Sequence, residues 1–469
     1  MLNLTLAIDF GSTYTKVVAL DLDNEDVVGV AQAVSTVDTD ITIGLRSALE
    51  KLSNSIGIKN FSPERILACS SAAGGLRLIA IGLVRALTTK AAEEAALGAG
   101  AKLVGTFSYG LNPDDLKQME EINPDLILLA GGTDGGDRET IIHNAGLLAT
   151  SCLHSPVIIA GNKMAAFRAE ALLKETDKEV IVVENLLPEL DKLNVEPARS
   201  AIRETFMRRI VHAKGLDKAQ DLVGDIIMPT PMAVLEGAKL LAEGAEGEPG
   251  LGELLVVDVG GATTDVHSVA KGSPCQDNVI VKGLPEPYLK RTVEGDLGIR
   301  YNAQHILQIA GKEKIEDRMG FHQGTMRGYV DLEPAVQYLS TNIGAVPQRE
   351  EEFIIDIGLA GTAVDIAMQR HAGRIEEVYF PHGKMFIQYG KDLRETKYVI
   401  GTGGIFAYGR EPRRVLEATR YNPINSGSLR PKAPEFLVDE RYMLFAMGLL
   451  AKVSPIKALR VLKRYLKKV

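Results

Sequence analysis

Two short segments, one near the start of the chain and one just past its middle, carry the residues best suited to chemistry. The first runs Leu6-Ala7-Ile8-Asp9-Phe10-Gly11-Ser12-Thr13-Tyr14-Thr15-Lys16. The second runs Val256-Val257-Asp258-Val259-Gly260-Gly261-Ala262-Thr263-Thr264-Asp265-Val266. Each has an apolar run, an Asp, one further residue, a Gly and then hydroxyls. A glycine-containing turn lets backbone N–H groups approach phosphate oxygens with no Cβ in the way. Ser12, Thr13, Thr263 and Thr264 add hydroxyl donors, and Thr15, Gly260, Gly261 and Ala262 belong to the same turns. Lys16 brings a positive charge to the phosphates. Asp9 and Asp258 offer hard oxygens to Mg²⁺ through water, and Asp265 is a third carboxylate beside them. Two such hairpins face to face would clamp one nucleotide. Two ordinary hairpins are the plainer reading, and their matching flanks argue against it.

A third segment, Tyr398-Val399-Ile400-Gly401-Thr402-Gly403-Gly404-Ile405-Phe406, reads as a strand, a glycine-rich turn and a helix start. Gly401, Thr402, Gly403 and Gly404 would present flat backbone to an adenine–ribose unit. Alone this motif is weak, and its place after both hairpins strengthens it.

These turns need strands to hold them. Residues 3–9 and 15–20 read as paired strands, with 26–34 as a third and 41–56 as an amphipathic helix. From Ser62 to about Leu187 the rhythm becomes βαβ, the mark of an open parallel sheet covered on both faces. Its strands read as Arg65–Cys69, Lys102–Thr106, Asp125–Ala130, Pro156–Ala160 and Glu179–Val183, with helices over 76–87, 89–98, 114–121, 137–149 and 163–175. The expected units are a lobe at 1–61, an inserted α/β domain at 62–190, a helical connection at 191–253, a second lobe at 254–452 and a basic amphipathic helix at 453–469.

Composition excludes several classes. With 53 Lys and Arg against 61 Asp and Glu, the formal charge is -8, which disfavours bulk nucleic-acid binding. Trp is absent, so stacking platforms are scarce. Three widely spaced cysteines form no CxxC or disulfide framework and fit a reducing cytoplasm. No apolar run approaches the ~20 residues a bilayer needs, and the MLNLTLAIDFG start lacks a basic signal region. Gly311-Lys312 is followed by Glu313, so there is no Walker A motif.

The order of two phosphate hairpins and a glycine-rich adenosine turn resembles the actin-like ATPase superfamily of sugar kinases, heat-shock chaperones and actin. That resemblance implies an α/β protein: a two-lobed actin-like ATPase (ribonuclease H-like) core with an inserted open parallel α/β domain. ATP and Mg²⁺ would lie between the lobes. Met228–Gly237 is similar to the first connecting helix of that superfamily, and Arg441–Val453 to the second. Chaperones of the superfamily have Glu where this chain has Met228, which leaves the residue orienting the attacking water open.

A closer resemblance rests on residues 69–83 (CSSAAGGLRLIAIGL), 93–102, 128–141 (LLAGGTDGGDRETI), 293–302, 370–384 and 399–406. These segments resemble the glutamate mutase accessory proteins, the MutL type encoded beside adenosylcobalamin-dependent mutases and unrelated to DNA mismatch repair. The resemblance covers essentially the whole chain. It implies a slow ATPase that reactivates a mutase carrying damaged cobalamin, with mutase subunits as partners and no nucleic acid or membrane. The inserted domain would be the handle, imitating the cobalamin-binding subunit and displacing it. A small-molecule kinase of the same superfamily is the rival function, and a nucleotide-dependent filament a third.

Other motifs have plainer readings. Residues 130–137 and Ser70–Gly75 read as turns at one sheet edge, for partner contact or packing. Asp356–Thr362 reads as part of a helix, and His371 and His382 lack partners at ligand spacing. VEGDLG (293–298) reads equally as a nucleotide contact or a helix start. The basic tail reads as a helix docked on its own protein.

Overall fold

The structure is a computed structural model that describes residues 4–11, 13–36, 40–58, 63–71, 76–190, 192–212, 226–320, 331–381 and 383–469. Leu4–Phe10 (β1), Tyr14–Asp21 (β2) and Asp26–Val34 (β3) form an antiparallel meander. Ile41–Ile56 (α1) follows, capped by the Asp40 carboxylate and stopped by a left-handed Gly57. Arg65–Ser70 (β4) then runs parallel to β1.

The chain next builds a separate sheet. Its strands are Arg77–Gly82 (β5), Lys102–Ser108 (β6), Leu126–Leu129 (β7), Val157–Ile159 (β8) and Val180–Val182 (β9). Between them lie Lys90–Gly98 (α2), Pro113–Ile122 (α3), Glu139–Ala149 (α4) and Lys163–Lys174 (α5), and Glu196–His212 (α6) follows. The strands are parallel in the order β6-β5-β7-β8-β9. This is the 2-1-3-4-5 order of doubly wound sheets.

Ile226–Pro229 (β10) returns to the first sheet beside β4 and leads into Thr230–Glu243 (α7). A second meander follows: Leu254–Val259 (β11), Thr264–Val269 (β12) and Leu289–Glu294 (β13). Glu350–His371 (α8) packs behind it. Tyr398–Thr402 (β14) and Glu435–Asp439 (β15) extend the sheet in parallel. Leu444–Leu450 (α9), Pro455–Tyr465 (α10) and Leu466–Lys468 (β16) close the chain.

The outer sheets share one plan: β3-β2-β1-β4-β10 and β13-β12-β11-β14-β15, with β16 added at the end of the second. In both, an antiparallel meander is followed by two parallel strands and then a helix. This duplicated order is the actin-like, ribonuclease H-like core. Helices α7 and α9 cross between the sheets within one apolar cluster that includes Val18, Met232, Leu241, Val256, Leu444 and Met447. The crossing is close because glycine stands on both helices. A Cβ at Gly237 would lie 2.5 Å from the Leu444 carbonyl oxygen, and one at Gly448 would collide with the Ala233 carbonyl.

Several expectations need correction. Residues 76–87 are not a helix: they supply inner strand β5 and the start of a π-helical turn at Arg85–Thr89. A strand buried on both faces is apolar all round, so its pattern imitates a buried helix. Arg65–Ser70 belongs to the first lobe, so the insertion begins after β4 rather than at residue 62. Helix α6 packs through Ala198, Ile202 and Phe206 in a cluster shared by the first lobe and the insertion, with Leu6 and Ile8 as well as Leu78 and Ala95. The tail is a helix only to Tyr465, and Leu466–Lys468 then pairs with β15. Its basic face meets the protein's own acids, Arg460 on Glu25 and Glu248 and Lys463 on Glu248. Among the described residues, no helix is long and apolar enough to cross a membrane.

Gly448→Val should destabilise the protein by about 1–3 kcal/mol through overpacking at the crossing. Gly344→Ala, where a Cβ meets nothing within 4 Å, should leave the thermal midpoint unchanged. Equal midpoints for both variants would contradict the close crossing.

Candidate functional site

The two hairpins share their register as well as their motif. Asp9 pairs with Lys16 across β1 and β2, and Asp258 pairs with Asp265 across β11 and β12. The turns close alike: Gly11 N–H donates to the Tyr14 carbonyl at 3.2 Å, and Gly260 N–H to the Thr263 carbonyl at 2.9 Å. Both turns open on one cleft of about 770 Å³ between the lobes. Asp9, Gly11, Thr13, Lys16, Asp258, Gly260, Gly261, Ala262, Thr263, Asp265 and Gly404 line it. Ser12 lies outside the described residues, as do residues 72–75 and His382.

Lys16 is the electrostatic centre. Its Nζ lies 3.3 Å from Asp9 Oδ2 and 3.7 Å from the Tyr442 ring centroid. Burial works against its charge, but Tyr442, Asp9 and Asp258 outweigh burial and raise its pKa. Asp9 is held from its other side, where Thr230 Oγ1 donates to Oδ1 at 2.5 Å. Cys69 Sγ is 3.7 Å from the same oxygen. Burial and then Asp9 push the Cys69 thiol well up, so it stays protonated.

Asp258 is different. It is half-buried, and its buried Oδ1 has no hydrogen-bond partner. Burial, reinforced by Asp265, pushes its pKa up to about 7. A buried carboxylate oxygen without a partner is costly unless a cation or donor meets it. Among the described residues, no group of three or more His, Cys, Asp or Glu is placed to hold a metal. A cation here would therefore take most of its ligands from water and phosphate oxygens, as Mg²⁺ commonly does. The residues present fit a magnesium-bound polyphosphate.

Other expected site residues turn away from the cleft. Thr15 Oγ1 bonds Ser35 Oγ at 3.0 Å, and Thr264 Oγ1 donates to the Leu297 carbonyl at 2.8 Å. Thr402 Oγ1 donates to Asp439 Oδ2 at 2.9 Å, and Asp439 in turn caps α9 by accepting from the N–H groups of Met443 and Leu444. Gly401 is packed under the Phe406 ring. Gly403 has φ +107°, and a Cβ there would lie 2.9 Å from Asp258 Oδ1. Its role is to let β14 end against the second hairpin, which leaves Gly404 to face the cleft. Asp265 is already committed, to Arg291 Nη2 at 2.8 Å.

Sequence reasoning missed Thr230, Tyr442, Arg291 and Arg300. Thr230 stands two residues after the buried Met228, at the first turn of α7. Arg300 makes two 2.8 Å bonds to Asp356, a buried pair in the cleft wall. Glu294 and Asp296 of the VEGDLG segment both bind Arg370. His371 is a satisfied core residue, 2.9 Å from both Thr292 Oγ1 and Ser268 Oγ. In the 130–137 turn, Asn185 donates to the Gly132 carbonyl and to Asp134 at 3.0 and 2.9 Å, which favours packing over ligand binding.

The raised Asp258 carboxyl sets a pH dependence. Between about pH 4 and 7 the folded form holds a proton that the unfolded form has lost, so stability falls as pH rises through that window. In chelated, nucleotide-free protein, Asp258→Asn should melt higher than the parent at pH 8, with the gap narrowing toward pH 5. A gap independent of pH would contradict the half-buried carboxylate with its partnerless oxygen.

Comparison with known proteins identifies the family. The family model described as MutL protein matches residues 5–466. Protein MutL of Clostridium tetanomorphum is 46% identical over 464 residues, covering 99% of each chain. Among solved structures, nucleotide-free acetone carboxylase aligns with 96% of this chain and 70% of its own, at 15% identity and a TM-score of 0.39. The ADPNP-bound activator of 2-hydroxyisocaproyl-CoA dehydratase from Clostridium difficile aligns with 98% and 96%, at 11% identity and 0.33. The fold assignment rests on the strand order of the two sheets. The family model and the curated relative, both spanning nearly the whole length, show that this chain belongs to the MutL protein family.

Proposed function

We propose that this protein binds Mg·ATP between its lobes and couples slow hydrolysis to the reactivation of an adenosylcobalamin-dependent mutase of the glutamate mutase type, in the cytoplasm. The observation that carries the nucleotide part is the pair of like-registered turns on one cleft, with the partnerless Asp258 oxygen between them. The mutase part is supported by MutL family membership.

Mg·ATP would supply the phosphoanhydride and a neutralising cation. The Gly261–Thr263 turn amides, the Thr13 and Thr263 hydroxyls and the Lys16 ammonium would hold phosphate oxygens, while the Gly11 and Gly260 amides close the turns that present them. Asp258 holds the cation side through water. Asp9, pinned by Thr230 and Lys16, is the carboxylate we assign to orienting the attacking water. A ligand that touches both lobes binds open and closed states unequally, and a difference of ~1–3 kcal/mol is enough to drive a movement that a partner feels. The inserted α/β unit is the part we assign to the mutase, where movement would release damaged cofactor.

One observation favours the rival small-molecule kinase. The cleft floor reaches His267, a buried histidine whose two ring nitrogens have no partner. Turnover of ATP by the purified protein with no added small molecule separates the two readings, because a kinase needs its acceptor. Asp9→Ala and Asp258→Ala should each weaken Mg·ATP binding or turnover by at least about tenfold, or about 1.4 kcal/mol. Near-parental hydrolysis in both variants would contradict the nucleotide site. Inactivated mutase incubated with this protein, ATP, Mg²⁺ and fresh adenosylcobalamin should regain activity. No recovery, with ATP turnover intact, would contradict the mutase assignment alone.

A further inference from the structure

The C-terminal turn of α2 is closed by the N–H groups of Ala99, Gly100 and Ala101 on the Ala95, Leu97 and Ala96 carbonyls, and the negative end of the helix dipole favours cations there. Two buried arginines occupy that end. Arg199 of α6 donates from Nη2 to the Glu94 carbonyl at 3.4 Å and to the Leu289 carbonyl, at the start of β13, at 3.2 Å. A Cβ at Gly98 would collide with the Arg199 guanidinium, so this seat of the arginine depends on glycine there. Arg291, two residues further along β13, donates from Nη1 to the Leu97 carbonyl at 3.3 Å. Its Nε and Nη2 bond Asp265 Oδ1 at 3.2 and 2.8 Å.

Asp265 lines the nucleotide cleft, and its second oxygen accepts from Thr263 Oγ1 at 3.0 Å. A single guanidinium therefore lies between the second phosphate turn and the end of the first helix of the inserted unit. The same helix end leads directly into Gly100, Ala101 and Lys102, which also line the cleft. A planar guanidinium fork fixes both partners in one geometry, and a buried carboxylate depends on it for charge compensation.

We propose that Arg291 is the positioning residue through which the contents of the cleft set the seat of α2, and with it the inserted unit. The proposal rests on nucleotide binding in that cleft. A hydrated cation drawn to Asp265 competes with Arg291 for the carboxylate, and a phosphate at Thr263 competes with the carboxylate for Arg291. The guanidinium then turns, and its bond to the Leu97 carbonyl changes with it. Lysine at this position keeps the charge opposite Asp265 but cannot span both partners.

The test is amide hydrogen exchange of the full chain, with and without a non-hydrolysable ATP analogue and Mg²⁺, at concentrations saturating for each variant by calorimetry. In the parent, nucleotide should change exchange across residues 95–101. In Arg291→Lys that change should shrink by at least about fivefold, while in Arg199→Lys it should persist. Asp265→Asn, which keeps the shape and removes the charge, gives a second route and should lose the change as Arg291→Lys does. A parent that binds nucleotide with no change at 95–101, or a full change in Arg291→Lys and Asp265→Asn, overturns the proposal and leaves the nucleotide site standing. A parent that shows no calorimetric binding overturns both.

Discussion

The structure turns on one half-buried ammonium. Lys16 leaves the first hairpin, lies against Asp9 and Tyr442, and feels the Asp258 carboxylate of the second. Removing a lysine charge from water is expensive unless acids surround it. The surrounding groups come from β1, from β11 and from the segment just before α9, which means both lobes must be in register for the charge to be tolerated. The glycine-mediated crossing of α7 and α9 holds that register from behind the cleft.

The two lobes repeat one plan and diverge at matched positions. Where the first hairpin has Lys16 opposite Asp9, the second has Asp265 opposite Asp258. Where β4 places Cys69 beside Asp9, β14 places Thr402 beside Asp258. The first lobe thus presents a cation to the cleft. The second presents carboxylates, one without a partner and one held by Arg291. A magnesium–polyphosphate carries both signs of charge and complements that asymmetry better than a neutral ligand would.

The hairpins were legible because turn chemistry is local: an Asp, a glycine and hydroxyls lie within a few residues of each other. The inserted parallel sheet was legible from its alternating rhythm, except for β5, whose all-apolar surface hides its period. Side-chain direction was not legible. Thr15 and Thr264 look like donors in sequence, yet strand alternation turns them into the core. Thr230 and Tyr442 were invisible as site residues because they meet Asp9 and Lys16 only after the chain returns from separations of more than 200 and 400 positions. Arg291 escaped notice for the same reason, since its partners lie on two different units of the fold.

The most direct measurement is a crystal structure of the protein grown with a non-hydrolysable ATP analogue and Mg²⁺. The account predicts phosphate oxygens in contact with the Gly11–Thr13 turn and the Gly260–Thr263 turn at once, with the cation on the Asp258 side and Lys16 directed at the phosphates. Nucleotide bound elsewhere, or held by a single turn with the other lobe standing away, would contradict it.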